Sequence, residues 1–464
     1  MRNWKRSCTA LAPALLPALM PALLPALLLA LSGLTGCESS GPGKPGDVSG
    51  RFLLTVGDAD MAASTLANKE LGERDPALHD PLTLVTMPIT EPTTQYAQVD
   101  VSNSALCPPT CLAVTRDGKY AFVVEYRGPA GPDAKTVDDL PIGSKLTALD
   151  LTDPMKPTIS AVSEVSKEPI AVAIHPDGDL VAVISQEARK QIVIQPFKNG
   201  VFTGDPAAWP LLGLDNDEAK PTSIAWHPGG QAIAVTLQDR GEVVFYRFRR
   251  SGDELQVAPW GAPVKVGKSP FAGAFTPDGR NFVVNDLQWG ADVAGYNVGA
   301  PEGKLVSIRL GDMPAGLDSA EGGPAQHLVI STVNVGVSPI GMAINAAGTM
   351  IATSNLQRSY LPDNDPRVDQ QNRGGSISLV LIAKDGTLTT INEYPINAMP
   401  AGICFDAKDN YLCVTQFRSF DPGAVDGEVG FWRVKSGHSS APTLIPANFF
   451  VGVGKGPHGV LIVR

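Results

Sequence analysis

Residues 169–184 read PIAVAIHPDGDLVAVI, and this stretch decides the fold. A proline opens a run of small and bulky apolar residues, Pro176-Asp177-Gly178 makes a turn, and a second apolar run follows. The Asp-Gly pair has hairpin chemistry, because glycine takes the positive φ that tight turns between strands require. In Ala171-Val172-Ala173-Ile174 both sides of the pleat are apolar, which predicts a strand buried on both faces. The phrase recurs as PTCLAVTRDGKYAFVV from Pro109, PTSIAWHPGGQAIAVT from Pro221, PFAGAFTPDGRNFVVN from Pro270, PIGMAINAAGTMIATS from Pro339 and PAGICFDAKDNYLCVT from Pro400. A truncated copy, PHGVLIVR from Pro457, ends the chain.

The opening prolines lie 49 to 69 residues apart, a spacing of repeat architectures. A second apolar run follows each hairpin: LTALDL at 146–151, QIVIQPF at 191–197, EVVFYRF at 242–248, KLVSIRL at 304–310, SISLVLI at 376–382 and EVGFWRV at 428–434. Four strands per unit and seven units predict an all-β fold, a seven-bladed β-propeller of four-stranded blades. Helical repeats are excluded, since no helical periodicity appears. The last copy has room only for an innermost strand. The other three strands of its blade are therefore expected near 51–56, 82–88 and 96–101, closing the ring and removing exposed sheet edges.

The proline-anchored pattern resembles the YVTN-type β-propeller repeats and the wider lactonase-like seven-bladed superfamily, over nearly all of residues 100–464. That resemblance implies the fold; its members include lactone hydrolases, surface-layer proteins and stalk proteins, so it leaves the function open. Lactonase-like propellers carry a histidine in a Gly-Pro-Arg-His context near the central cavity. Here Gly456-Pro457-His458-Gly459 lacks the arginine and has its histidine one place early.

The ends of the chain suggest export. Arg2, Lys5 and Arg6 precede an apolar stretch ending in Leu34-Thr35-Gly36-Cys37, and prolines at 13, 17, 21 and 25 argue against a stable membrane helix. The LTGC tetrapeptide resembles the lipobox of bacterial lipoproteins, which implies a signal peptide over 1–36 and lipidation of Cys37. Glu38, where aspartate would signal retention at the inner membrane, points to the outer membrane. Residues 37–50, rich in Gly, Pro and Ser, are expected to form a flexible tether, with the propeller over 51–464. Loss of Arg2, Lys5 and Arg6 with the leader takes the net charge from −10 to −13, which argues against nucleic acid as a partner.

In a propeller, the loops between second and third strands share a face with the starts of the innermost strands. These loops are long at 126–144, 287–303, 356–374 and 417–427 and are the expected seat of function. Near their starts five copies place an arginine: Arg127, Arg189, Arg240, Arg358 and Arg418. Together they would form a ring for a carboxylate, phosphate or acidic partner, unless each pairs with local acid such as Glu125, Glu187, Asp239, Glu242 or Asp421. Gln288 and Gln357 would suit a polyhydroxylated ligand, and Trp289 a stacking surface. Asp363, Asp365 and Asp369 have a loop-calcium spacing but lack the glycine and distal glutamate of an EF-hand, so a solvated acidic loop is the competing reading.

Cys404 and Cys413 fall directly opposite one another in the sixth hairpin. Opposed residues sit about 4.5 to 5.5 Å apart at Cα, within disulfide reach, so they form either a disulfide or two small core thiols. Cys107 and Cys111 are a second candidate pair. No nucleophile elbow, zinc-hydrolase pair, P-loop or haem motif is present, and no cofactor is expected. The sequence thus favours a monomeric, lipid-anchored binding or scaffold module that meets an envelope protein or glycan. The alternative is a lactonase-like hydrolase in which His458 and rim arginines polarise a lactone carbonyl.

Overall fold

The structure, a computed structural model, describes residues 43–73, 79–90, 96–102, 109–214, 218–251, 254–289, 301–314, 326–368, 371, 373–421, 427–436 and 441–464. The leader, Cys37, Cys107 and Asp369 lie outside them.

Seven antiparallel sheets form the seven-bladed propeller that the repeats predict. The innermost strands are Leu112–Val114, Pro169–Ile174, Pro221–Trp226, Pro270–Phe275, Pro339–Ile344, Ala398–Phe405 and Pro457–Val463, for blades 1 to 7. Five of them open on the repeat proline. In blade 1 the proline instead starts a 3-10 turn, Pro109–Cys111, and in blade 6 the strand begins two residues earlier. Second strands such as Leu180–Ser185 and Asn281–Asp286 are buried throughout, as expected of sheets packed face to face. Outer strands such as Thr158–Glu164 are largely exposed. In blades 2 and 3 the outer position is filled by two short pieces.

The ring closes as one strand plus three. Pro457–Val463 pairs antiparallel with Phe52–Gly57, which pairs with Pro81–Thr86 and then Tyr96–Asp100. The tether is shorter than the sequence suggests. Val48 is buried against blade 6 in a cluster with Tyr411 and Cys413, and Ser49 donates to Asp406 through both its backbone N–H, at 2.9 Å, and its hydroxyl, at 2.5 Å. Residues 45–50 therefore strap the closing blade to its neighbour, an ordered role that their Gly- and Pro-rich composition conceals.

The turns of the first hairpins lie on the face opposite the long loops. Gly178, Gly230 and Gly279 hold positive φ there, while in blade 6, which has no glycine at this place, Asp409 takes φ +59. His175 and His227 are turn residues with an added task. His175 Nε2 lies 3.2 Å from the Gly230 carbonyl and His227 Nε2 3.0 Å from the Gly279 carbonyl, so each imidazole clips its turn to the next blade. Backbone N–H groups of Asp177 and Gly229 donate to the Nδ1 atoms, which fixes the proton on Nε2.

Candidate functional site at the axial mouth

The loop joining the second and third strands of blade 7 begins at Asp58 and ends at Asp80, and its part up to Glu73 reaches inward over the ring. A bridge between Met61 and Leu71 folds it back, a short helix spans Thr65–Asn68, and Glu70 bridges to Thr136 in the long loop of blade 1. Met61, Ala63 and Ala67 pack with Ile340, Tyr360, Leu361, Met399 and Phe417, residues of blades 5 and 6, and with Phe271 and Trp289 of blade 4. An apolar cluster thus bridges several blades at the mouth of the ring.

At the root of this loop four titratable groups are buried together: Asp58, Asp80, Cys111 and His458. Gly456 makes the approach possible. It holds φ +66, and a Cβ there would lie 2.1 Å from the Asp58 carbonyl oxygen. Its own carbonyl accepts from the Asp58 N–H at 3.0 Å and faces His458 Nδ1 at 3.2 Å. With Nδ1–H donating there, Nε2 is turned to Cys111 Sγ, 3.6 Å away. Asp58 Oδ1 accepts from the N–H groups of Asp60 and Met61, both at 3.1 Å, and Asp80 Oδ1 accepts from the Ala59 N–H at 2.9 Å.

Burial alone would strip the charge from His458, but Cys111 and the Asp58 carboxylate outweigh it and hold the imidazole up at about 9. Burial, reinforced by the charge of Asp58, pushes Asp80 up to about 8. Near neutral pH the cluster therefore holds an imidazolium beside a protonated carboxyl. Such a group can both give and take protons.

The expected arginine ring does not form as free guanidinium groups. Arg127 pairs with Glu168 at 2.7 Å, Arg240 with Glu242 at 2.9 Å, and Arg418 grips Asp363 through two bonds of 2.9 and 3.1 Å. Arg358 donates to the Arg367 carbonyl at 3.3 Å, and Arg189 occupies a left-handed backbone position at φ +67. A carboxylate is within reach of three of these side chains, a local one for Arg240 and one brought up by the fold for Arg127 and Arg418, which is why pairing prevails. The same pairing removes the calcium reading. Asp363 accepts from Arg418 and Arg373, and Asp365 from Arg367 at 2.8 Å, which holds both carboxyls down at about 2. No group of acids, cysteines and histidines suited to a metal occurs among the described residues.

Gln288 donates to Asp286, and Gln357 donates to Ser376 at 3.0 Å and Glu393 at 2.7 Å. Trp289 donates through Nε1 to the Ser338 hydroxyl at 2.9 Å and packs into the apolar cluster at the mouth, so it pins the loop rather than offering a stacking face. Cys404 and Cys413 are opposed in register as expected, but both are thiols rather than a disulfide, buried among the residues that pack blade 6 against blade 7.

Of the described residues that the sequence singles out, Arg418 meets Asp363, Cys404 meets Cys413, and His458 meets Cys111, the last pair not in the roles foreseen. Asp58 and Asp80 escaped sequence reasoning. The signal for them was the gap of over twenty residues between the expected strands at 51–56 and 82–88, with Asp58 and Asp60 standing at its start.

No protein-family model matches the chain, and no curated protein matches it. Solved structures do. A candidate 6-phosphogluconolactonase from Bacteroides uniformis superposes with a TM-score of 0.57 at 13% identity, covering 89% of this chain and 99% of that one. A periplasmic gluconolactonase from Pseudomonas aeruginosa gives 0.55 at 14%, with 89% and 99% covered, and a candidate 6-phosphogluconolactonase from Bacteroides fragilis gives 0.55 at 13%, with 89% and 98% covered. In fold, the chain is a seven-bladed β-propeller similar to the lactonase-like propellers.

Proposed function

We propose that the chain is a hydrolase of lactone-like cyclic esters, with its proton chemistry in the Asp58–Asp80–His458 cluster. The observation that carries this reading is the burial of those three groups beside one another, with His458 and Asp80 both pushed toward holding a proton. The likeness to lactonase-like propellers supports it at the level of fold. In the proposed reaction water adds to the ring carbonyl carbon and gives a proton to Asp58. The imidazolium of His458 offsets the charge developing on the carbonyl oxygen, and the C–O bond to the ring oxygen breaks as Asp80 protonates that oxygen, leaving a hydroxy acid. Because His458 is only 6% exposed, its surroundings have to open for a substrate to reach it.

A panel of γ- and δ-lactones, followed by acid release in weak buffer, tests this. At least one should be opened well above the buffer rate, with a loss of about 100-fold or more in a His458→Gln variant that keeps its circular dichroism. Wild-type protein no faster than buffer on every lactone would overturn the reading. A binding face built on rim arginines has less to support it, since Arg127, Arg240 and Arg418 are already paired with carboxylates.

The same proposal places the enzyme at the cell envelope, held by a lipid on Cys37. Metabolic labelling with an alkyne fatty acid should mark the wild type and not Cys37→Ser, and the variant should leave the membrane fraction. Equal labelling of both would remove the anchor from the proposal.

A further inference from the structure

On the face opposite the long loops, the turns of blades 3, 4 and 5 enclose a cleft of about 770 Å³, a size that suits a small ligand. Its apolar lining includes Trp260, Leu310 and Met313, and Trp260 is fixed by donating its indole N–H to the Asp312 carbonyl at 3.3 Å. Three cations line it: Arg280, Arg309 and Lys384. Against them stand the carboxylates of Asp312 and Asp385, so the cleft is net positive on a chain whose total charge is −10. His227 adds no charge, since burial pushes its imidazole down.

The cations are only lightly engaged. Arg309 is oriented by donating to the backbone carbonyl of Asp385 rather than to a carboxylate. Arg280 Nε stands 4.0 Å from Asp278, and Lys384 makes no hydrogen bond or ion pair among the described residues. A second, independent feature lies beside them. Asn281 is 3% exposed, lines the cleft, and has its side-chain oxygen buried without a hydrogen-bond partner among the described residues. That oxygen faces the blade 5 turn, where a Cβ on Gly386 would come within 2.6 Å of it. A buried acceptor left unmatched costs on the order of 1–3 kcal/mol, which a donor from the cleft would recover where the Gly386 turn shifts to admit it.

From these observations we infer that the cleft is a binding site for a small hydroxylated anion, a carboxylate or phosphate carried on a sugar-like frame. Arg280, Arg309 and Lys384 receive the anionic group, a ligand hydroxyl donates to Asn281 Oδ1, and the apolar lining takes the carbon frame. The site is separate from the axial cluster, and the inference does not depend on the proposed hydrolysis.

Calorimetric titration at low ionic strength with D-glucuronate, D-glucose and inorganic phosphate tests it on the full protein. Glucuronate should bind at least tenfold more tightly than its neutral counterpart glucose. The Arg309→Ala/Lys384→Ala double variant should weaken glucuronate at least tenfold, Asn281→Leu should weaken glucuronate more than phosphate, and His458→Gln should leave binding unchanged. Absence of binding by glucuronate and phosphate alike, equal affinity for glucose, or loss of binding in His458→Gln with retention in the double variant would each overturn the inference.

Discussion

Deleting residues 457–464 should leave a protein that no longer melts as a single cooperative unit, or that melts far below the intact chain. The deleted strand supplies Val460 and Val463 to the core, each worth about 1.5–3 kcal/mol when buried. It also satisfies the inward edge of Phe52–Gly57, from Phe52 opposite Val463 to Val56 opposite Gly459. With the strand gone, that edge is an open template for pairing with another molecule. Blades 6 and 1 lose a neighbour at the same time, because Val460 packs with Val429 and Phe431, and Val463 with Leu112 and Phe122. The sum approaches the whole stability of a typical domain, about 5–15 kcal/mol. Thermal unfolding and light scattering of the two forms measure this. A truncated chain that kept the parent's melting temperature would show that the strap at 45–50 and the blade-to-blade packing hold the ring without its clasp. Adding a synthetic peptide of residues 457–464 in trans should restore part of the loss, since the acceptor edge is otherwise intact.

The fold was legible because its determinants are local and repeated. A proline, a doubly apolar run and a turn recur six times in full, and each copy reports the same strand pair without needing the others. The closing arrangement was legible from what the last copy lacks. The site was not, and the reason is physical: it is assembled from positions that no single repeat contains. His458 stands in the truncated copy, Cys111 in the 3-10 turn of the first, and Asp58 and Asp80 at the two ends of a loop outside every copy. Spacing along the chain says nothing about such a meeting, since the ring brings residue 58 beside residue 456. The rim arginines show the opposite failure. Their recurrence was visible, but whether a guanidinium is free or paired depends on the fold, as with Arg418 and Asp363, which are 55 residues apart. The two thiols of blade 6 show a third case, in which register was readable and redox state was not.

Replacing His458 with glutamine should produce the largest effect of any single substitution at the mouth, and the effect should depend on pH. The imidazolium is the buried cation that faces Cys111 and Asp58, and removing one member of such a buried group costs on the order of 3–5 kcal/mol because what remains stays buried without its counterpart. The sign of the pH dependence follows from the direction of each shift. His458 is raised from the usual 6.5 to about 9, so the stability it contributes is complete below about 6.5 and is lost as pH rises through 9. Asp80 is raised from 3.8 to about 8, so between those values the folded protein holds a proton that the unfolded chain has released, and stability falls as pH rises across that range. The two groups act in the same direction. Urea midpoints measured from pH 5 to 9.5 should therefore decline steadily for the wild type. Asp80→Asn, a neutral stand-in for the protonated carboxyl, should flatten the part below pH 8 and be more stable than the wild type at the alkaline end, whereas His458→Gln should be less stable at pH 6 and approach the wild type near pH 9.5. Variant curves that simply run parallel to the wild type would mean that neither group titrates in the folded state as its surroundings require. The proton chemistry assigned to the cluster would then lose its basis.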